Sequence, residues 1–447
     1  MTATNPLWIA QRYGQDWRDE EVLAATGWLT SFVEASVWSR RMERVRQTFS
    51  AGKKKRAMGE HSPLYDPNDV IAWYVFQANA YAANREDWFE PEAFRISPVF
   101  RRLGEILCDL RAVTGVEERV YKLMNANKGQ ADDGLYELLV AGAYKSRLWK
   151  SVEFVQEQPG IAKTSDLMVK SGRRRWAVEC KRVNRSGYEA AEYQHGLRLA
   201  SALHHLCNMR KCSLIVEVIY LVELSEISAD YLAARAERFL NDPSLHVWSD
   251  AFGRGQVRHI DWRLARAVLQ YDYVFYGSSR MVELLAGEYR SNFDHSMAAE
   301  WIPAPLRPLH ATAINRASVV SWRSASEEAA RRKARHFKSL VAKAEEQLPK
   351  DCPGVIHVGY EARDGNSVDA LRHHLNDVEM RKFSPSASQL RWVYGNYLSP
   401  EHTNNPNESC ALSETTATYK IGNHRIQPPL PGHILFSAGQ GRPGVHW

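Results

Sequence analysis

The sequence predicts a mixed α/β protein: a helical first third, then a core in the order helix, strand, strand, strand, helix, strand, then a further α/β region. Three observations predict it. Apolar residues recur at helical spacing through the first 127 residues, β-branched and apolar runs of strand length begin only near residue 151, and strands and helical stretches alternate beyond that point. Alternation of this kind is how layered α/β folds are written. The composition agrees, since 447 residues that are 44% hydrophobic and 25% charged describe a globular chain with material for roughly two to four domains of ~100–200 residues each.

Within residues 1–127, read as an all-helical domain, Asp66-Pro67 opens an apolar run, VIAWYVFQANAYAA. Ser97-Pro98 reads as a capping residue with proline at the first helical position, leading VFRRLGEILCDLRAV to a stop at Gly115. The intervening SAGKKKRAMGEHSP reads as a loop. From residue 40 to residue 56 the positives Arg40, Arg41, Arg44, Arg46, Lys53, Lys54, Lys55 and Arg56 face the single acid Glu43, which makes either a solvated surface or a patch that contacts phosphates.

Residues 128–225 form the predicted core. GLYELLVAGAYKSRLWK is a helix, SVEFVQEQ, TSDLMVK and RWAVECKRV are short strands, and SGRRR is the turn joining the last two. GYEAAEYQHGLRLASALHHLCNMR is a long helix, and CSLIVEVIYLVEL is apolar enough to be a buried strand. In 226–398, SADYLAARAERFL and SASEEAARRKARHFKSLVAKAEEQL are helical, the second with a serine cap, while GQVRHIDW, YDYVFYG, RASVVSW, GVIHVGYE and LRWVYGNYL are extended. This region is either a second α/β unit or an extension of the same sheet. Residues 399–447, rich in Asn, Thr, Pro and Gly, read as a loop-rich tail with one short strand at HILF.

The chain opens without the basic-then-apolar layout of a signal peptide, and no run approaches ~18 uninterrupted apolar residues, so the expectation is a cytoplasmic protein without membrane contact. The six cysteines are scattered and read as reduced thiols. His204, Cys207 and Cys212 lie close together and raise a zinc alternative, with helix packing as its rival. The formal charge of +6 is small, but it resolves into basic clusters at 40–56, 170–185 and 331–338. No phosphate-binding or dinucleotide glycine pattern and no G-x-S-x-G elbow is present, and His373-His374 with Asn376 falls in what reads as one helix, the wrong setting for a His-Asn nuclease finger.

The chemistry concentrates on Asp166, Glu179 and Lys181. Strand alternation sets Glu179 and Lys181 on one face, with Trp176, Val178 and Cys180 on the other. A short hairpin brings Asp166 near Glu179, and two carboxylates with one main-chain carbonyl, that of Cys180, make a hard-oxygen site suited to Mg²⁺ or Mn²⁺. A neighbouring lysine can orient an attacking water or offset developing charge, which suits phosphodiester hydrolysis.

Ser165-Asp166, twelve intervening residues and Glu179-Cys180-Lys181, in the predicted helix and strand order, resemble the PD-(D/E)xK nuclease superfamily, the restriction-endonuclease-like fold, over residues 134–224. Ser165 stands where the family usually has proline. The resemblance implies that Asp166 and Glu179 are metal ligands and Lys181 is the catalytic lysine. It also implies that Glu137 is the acid contributed by the first helix and that Gln194 is a polar residue near the metal or water. The expectation is a metal-dependent nuclease, acting on DNA in preference to RNA, in defence or repair. Arg40, Arg41, Arg44, Lys53, Lys54, Lys55, Arg56, Arg173, Arg174, Arg175 and Arg182 are its expected nucleic-acid contacts. Alternatives are a catalytically inactive nuclease-like nucleic-acid-binding protein or a subunit of a larger complex, with a homodimer or a protein partner open in each case.

Overall fold

Good helix formers with buried apolar stripes build the first seven elements: α1 (Glu20–Thr30), α2 (Ala35–Ala57), α3 (Val70–Ala82), α4 (Glu90–Glu105), α5 (Leu107–Arg111), α6 (Val116–Asn125) and α7 (Ala131–Ser146). The structure is a computed structural model, and its described residues are 19–58, 60, 62–83, 87–147, 149–156, 164–183, 187–290, 292–305, 307–361, 370–386, 388–401, 411–432 and 435–436. Trp8, Trp17 and Cys410 lie outside them. Asp66 begins the third helical segment as expected, its Oδ1 accepting the Asn68 N–H at 2.9 Å, with Pro67 next in a short 3-10 turn that leads into α3.

Two six-stranded sheets follow. The first has the order β1 (Ser151–Phe154), β2 (Leu167–Ser171), β3 (Arg174–Val183), β10 (Pro353–Glu361), β11 (Gln389–Glu401), β12 (Ala411–Lys420). The second is assembled from β4 (Leu214–Tyr220), β5 (Val247–Ser249), β6 (Gly253–His259), β7 (Val274–Phe275), β8 (Asp294–Ala304) and β9 (Arg307–Ser324). Among them run α8 (Gly187–Arg210), α9 (Tyr231–Asn241), α10 (Trp262–Leu269) and α11 (Ser279–Ala286), with α12 (Glu327–Glu345) and α13 (Ala370–Arg381) returning the chain to the first sheet.

The strand at 214–220 therefore does not join the sheet of residues 151–183, contrary to the predicted core of 128–225. It lies between β6 and β9 in the second sheet, and the parallel neighbour of β3 is β10, with Glu179 opposite Ile356 and Lys181 opposite Val358. Both β4 and β10 are buried apolar strands, so hydrophobic pattern alone could not assign either to a sheet. The packing shows the difference. Alternate β3 residues Trp176, Val178 and Cys180 join the core formed with Leu138, Tyr144 and the other N-terminal helices, while Ala177 and Val183 face Phe337 and Val341 of α12. Helices thus cover both faces of the first sheet, and the helices of the first 127 residues share one core with its strands rather than closing on themselves. In the second sheet α8 and α9 cover one face, and α10 and α11 the other.

Three local readings change. The loop expected at 50–63 is largely helix, because α2 continues to Ala57. Lys and Arg are good helix formers, and Gly52 faces the Pro63 carbonyl so closely that a Cβ there would sit 2.5 Å from it, so the glycine serves a close approach instead of ending the helix. Ser97-Pro98 does not start a helix: α4 begins at Glu90 and carries Pro98 inside, leaving Ser97 buried. The tail contains a ten-residue strand, β12, antiparallel to β11, and the expected strand at HILF is absent from its described part. There Leu435 and Phe436 instead donate their N–H groups to Glu414 Oε2, each at 3.0 Å.

At the centre of the first sheet His357 is wholly buried, stacked on Tyr394 with ring centroids 4.5 Å apart, its Nε2 3.0 Å from the Tyr144 hydroxyl. Burial pushes this imidazole down to about 3, and His204, also desolvated, down to about 4. A histidine held neutral in the fold but free to protonate when unfolded stabilises fully above pH ~6.5 and progressively less as pH falls toward the folded value. Unfolding free energy is accordingly expected to drop between pH 6.5 and 4 by about 1.4 kcal/mol per pH unit for each histidine. Calorimetry on the wild type and His357→Phe should show a shallower acid slope in the variant; equal slopes would refute this account.

Candidate active site

α7 is buried on almost every side, with Leu135, Tyr136, Leu138 and Leu139 flanking Glu137 in the core, so the Glu137 carboxyl needs a partner. It finds one in Arg119 of α6, whose Nε donates to Glu137 Oε2 while Nη2 donates to Asp166 Oδ1 at 3.1 Å. Asp166 is the residue immediately before β2. The β2–β3 register ends with Leu167 opposite Val178, so the next pair in that register is Asp166 and Glu179, with side chains on one face. There β3 runs past the end of β2, and the N–H of Cys180, beyond the β2 ladder, donates to Asp166 Oδ2 at 2.7 Å. One residue further, Lys181 Nζ donates to Glu179 Oε1 at 2.5 Å, while Glu179 Oε2 is buried with no hydrogen-bond partner.

The electrostatics follow from crowding three carboxyls at the edge of a core. Glu179 is fully buried; desolvation, then the Asp166 charge, push it up to about 8 against the pull of Lys181. Glu137 rises to about 7, from burial and then Asp166, with Arg119 opposing. Burial also raises Asp166, offset by the Cys180 N–H, Arg119 and Lys181. Desolvation by itself would lower the Lys181 ammonium, but Glu179 and Asp166 outweigh it and raise it. Buried carboxyls that raise one another in this way occur at functional sites and in structural ion-pair networks alike.

Four of the expected residues, Glu137, Asp166, Glu179 and Lys181, thus meet at one place, with the Cys180 backbone. The Cys180 thiol is buried on the opposite face of β3, so only its main chain is available there. Gln194 is not part of this group; it is exposed on α8, whose neighbours include α9, β8, β9 and α12. Arg119 was not anticipated. It precedes Asp166 by 47 positions on a helix with other charges, and nothing local marks it. Asp133, raised by burial and by its neighbour Asp132, also lies close; its i, i+4 spacing from Glu137 was a readable signal.

The basic residues divide. Arg41 is not a surface contact: it is buried, with Nε and Nη2 on the Asp69 carboxylate at 2.7 and 2.5 Å and Nη1 on the Met124 carbonyl oxygen at 2.8 Å. Arg40, Arg44, Lys54 and Lys55 are exposed along α2, Lys53 lies over the Phe49 ring, and Arg56 donates to the Ser62 carbonyl. Arg173, Arg174 and Arg175 occupy the far end of the hairpin, where Gly172 takes the left-handed φ of 60° that the turn needs. Six residues of strand separate Arg173 from Glu179, about 20 Å, so this tip does not surround the carboxylates. Arg174 lies over the Trp149 ring and Arg175 pairs with Asp351. Arg182, half-buried, lines a small cavity with Tyr74, Arg95 and Asp132. The 331–338 cluster is mostly paired, Lys333 with Glu192 and Lys338 with Glu379 among others.

The zinc alternative fails because both His204 ring nitrogens are engaged by serines, Nδ1 with Ser318 Oγ at 2.7 Å and Nε2 with Ser296 Oγ at 2.9 Å. Among the described residues no group of three or more His, Cys, Asp and Glu side chains stands ready to hold a metal ion, and no described helix is long and apolar enough to cross a membrane. Comparison with protein-family models, with curated proteins and with solved structures finds no match.

Proposed function

We propose that this chain is a divalent-metal-dependent nuclease that hydrolyses phosphodiester bonds, DNA in preference to RNA, on a restriction-endonuclease-like core. In this reading the core is α7, β1, β2 and β3 completed by α12 and β10, and residues 187–324 are an insertion carrying the second sheet. The observation that carries the proposal is the convergence of Glu137, Asp166, Glu179 and Lys181 where β3 outruns β2, with one buried Glu179 oxygen lacking any hydrogen-bond partner. A hard divalent cation fits that donor set: the orphaned oxygen, the crowded carboxyls and the Cys180 carbonyl, which projects from the same strand edge as its N–H. Bound there through Asp166, Glu179 and the Cys180 carbonyl, Mg²⁺ or Mn²⁺ would supply Lewis acidity and a more acidic water.

The side chains have their own tasks. Lys181, held by Glu179, places a cation beside the phosphate and keeps its proton at Nζ. Asp166 is kept in orientation by the Cys180 N–H. The exposed basic row on α2 is the candidate surface for the nucleic-acid backbone. The test is cleavage of plasmid and oligonucleotide substrates with Mg²⁺ or Mn²⁺. Cleavage by the wild type, abolished in an Asp166→Ala, Lys181→Ala double variant, is expected; undiminished cleavage by that variant would refute the assignment.

A second reading, a non-catalytic nucleic-acid-binding protein or complex subunit, is favoured by one observation: Arg119 and Lys181 already engage all three carboxylates. DNA binding insensitive to EDTA, without cleavage under any metal, would select it.

A further inference from the structure

Cys207 and Cys212, set aside as zinc ligands, stand at the point where α8 ends. Lys211 takes the left-handed φ of 51°, its N–H donates to the Asn208 carbonyl at 3.3 Å, and the Cys212 N–H donates to the Cys207 carbonyl at 3.0 Å. Two such bonds around a left-handed residue make the Schellman stop, in which the side chains of the first and last residues commonly meet. Here those residues are the two cysteines. Both are free thiols that interact with each other, and Cys207 also interacts with the Ser318 hydroxyl. The 3.0 Å bond and standard bond lengths hold the two Cα atoms no further apart than about 7 Å, within the reach of a disulfide. Cys207 is buried in the core of the second sheet at 2% exposure, whereas Cys212 is half-buried.

We infer that Cys207 and Cys212 form a reversible disulfide, a thiol switch at the joint between α8 and β4 that responds to a low-molecular-weight disulfide such as oxidised glutathione. Nothing in it depends on phosphodiester hydrolysis. Unequal exposure fixes the order of attack. The Cys212 thiolate meets the oxidant first, breaking its sulfur–sulfur bond, forming a mixed disulfide and releasing one glutathione. Burial, then the neighbouring Cys212 thiol, push Cys207 well above the ordinary thiol range, so it is inert toward the reagent itself. Its advantage is position. Attack on the adjacent Cys212 sulfur is intramolecular, and a high effective concentration offsets a low thiolate fraction. That second step forms the protein disulfide and expels the second glutathione. The two thiols are oxidised by two electrons, and their two protons leave on the two glutathione molecules. The bond then pins the turn that carries the chain from the end of α8 into β4.

The test incubates the full-length, reduced protein with excess oxidised glutathione at mildly alkaline pH. Remaining thiols are then alkylated under denaturing conditions and the tryptic peptides are mapped by mass spectrometry. Cleavage after Arg210 and Lys211 separates the two cysteines, so the bond is seen as peptide 199–210 joined to the peptide that starts at Cys212. The wild type should show this linked pair, lighter by two hydrogens than the sum of the free peptides, in the majority of molecules, and lose it on treatment with dithiothreitol. Cys207→Ser should instead accumulate glutathione on Cys212, because the thiol that would expel it is gone. Cys212→Ser should leave Cys207 a free thiol. Serine is close to cysteine in size, and the wild-type map decides the matter if a variant does not fold. Several wild-type results would overturn the switch: both thiols staying reduced, glutathione remaining on Cys212, either cysteine joined to a different partner, or a link that forms only in urea.

Discussion

Exchanging Glu179 for glutamine is expected to lower phosphodiester hydrolysis by about a thousandfold while making the metal-free protein more stable at pH 8. The first effect follows from removing a charged group aimed at the reacting centre, worth roughly 10²–10³ in rate. The second follows from burial. Glu179 is 0% exposed, one of its oxygens has no partner, and its carboxyl is pushed up to about 8. Its folded value lies above the ordinary unfolded value of about 4.3, so the native state binds the proton more tightly and the wild type loses stability as pH rises through the window between them. Glutamine keeps the shape and an acceptor for Lys181 but has no charge to desolvate. Melting temperatures measured from pH 5 to pH 8.5 should therefore separate progressively, with the variant higher at the alkaline end by the equivalent of a few kcal/mol at most. Parallel profiles for the two proteins would contradict the assigned burial cost.

Arg41→Ala should destabilise the protein by about 3–5 kcal/mol, the range for removing one partner of a buried ion pair. The guanidinium is almost completely enclosed and joins three elements: its own helix α2, the turn at Asp69 that leads into α3, and the end of α6 through the Met124 carbonyl. Its loss leaves the Asp69 carboxylate buried and unpaired. Urea unfolding would show it, and Arg41→Met combined with Asp69→Asn should recover a large part of the loss because no lone charge remains. A cost under about 1 kcal/mol for the alanine variant would mean that water reaches Asp69 freely.

Local order was legible wherever one element decides it. The helices and strands of 131–183 follow from periodicity, and the pairing of Asp166 with Glu179 follows from hairpin length, because an antiparallel register is set by its turn. Glu137 was expected only through the resemblance to the nuclease superfamily, as the acid contributed by the first helix. What could not be read depends on distant contacts. Arg41 and Arg44 have the same chemistry and lie three residues apart on one helix, yet one is buried on Asp69 and the other is exposed, a difference made by the approach of residues 69 and 124. Arg119 is the same case at the candidate site. Whether β4 or β10 lies beside β3 is a choice between two equally apolar strands, settled by how the helices around them pack.

The adjacency of β3 and β10 also has a consequence in time. The two strands are parallel neighbours in space, but residues 184–352 separate them along the chain. At ~5–20 residues per second a ribosome needs on the order of 10–30 s between releasing one strand and the other. Throughout that interval the edge of β3 that carries Ala177 to Val183 has no partner, and the carboxylate cluster has no second wall. The nascent chain is thus open-edged at β3 until β10 has been made, and an open edge of that kind invites unwanted strand pairing.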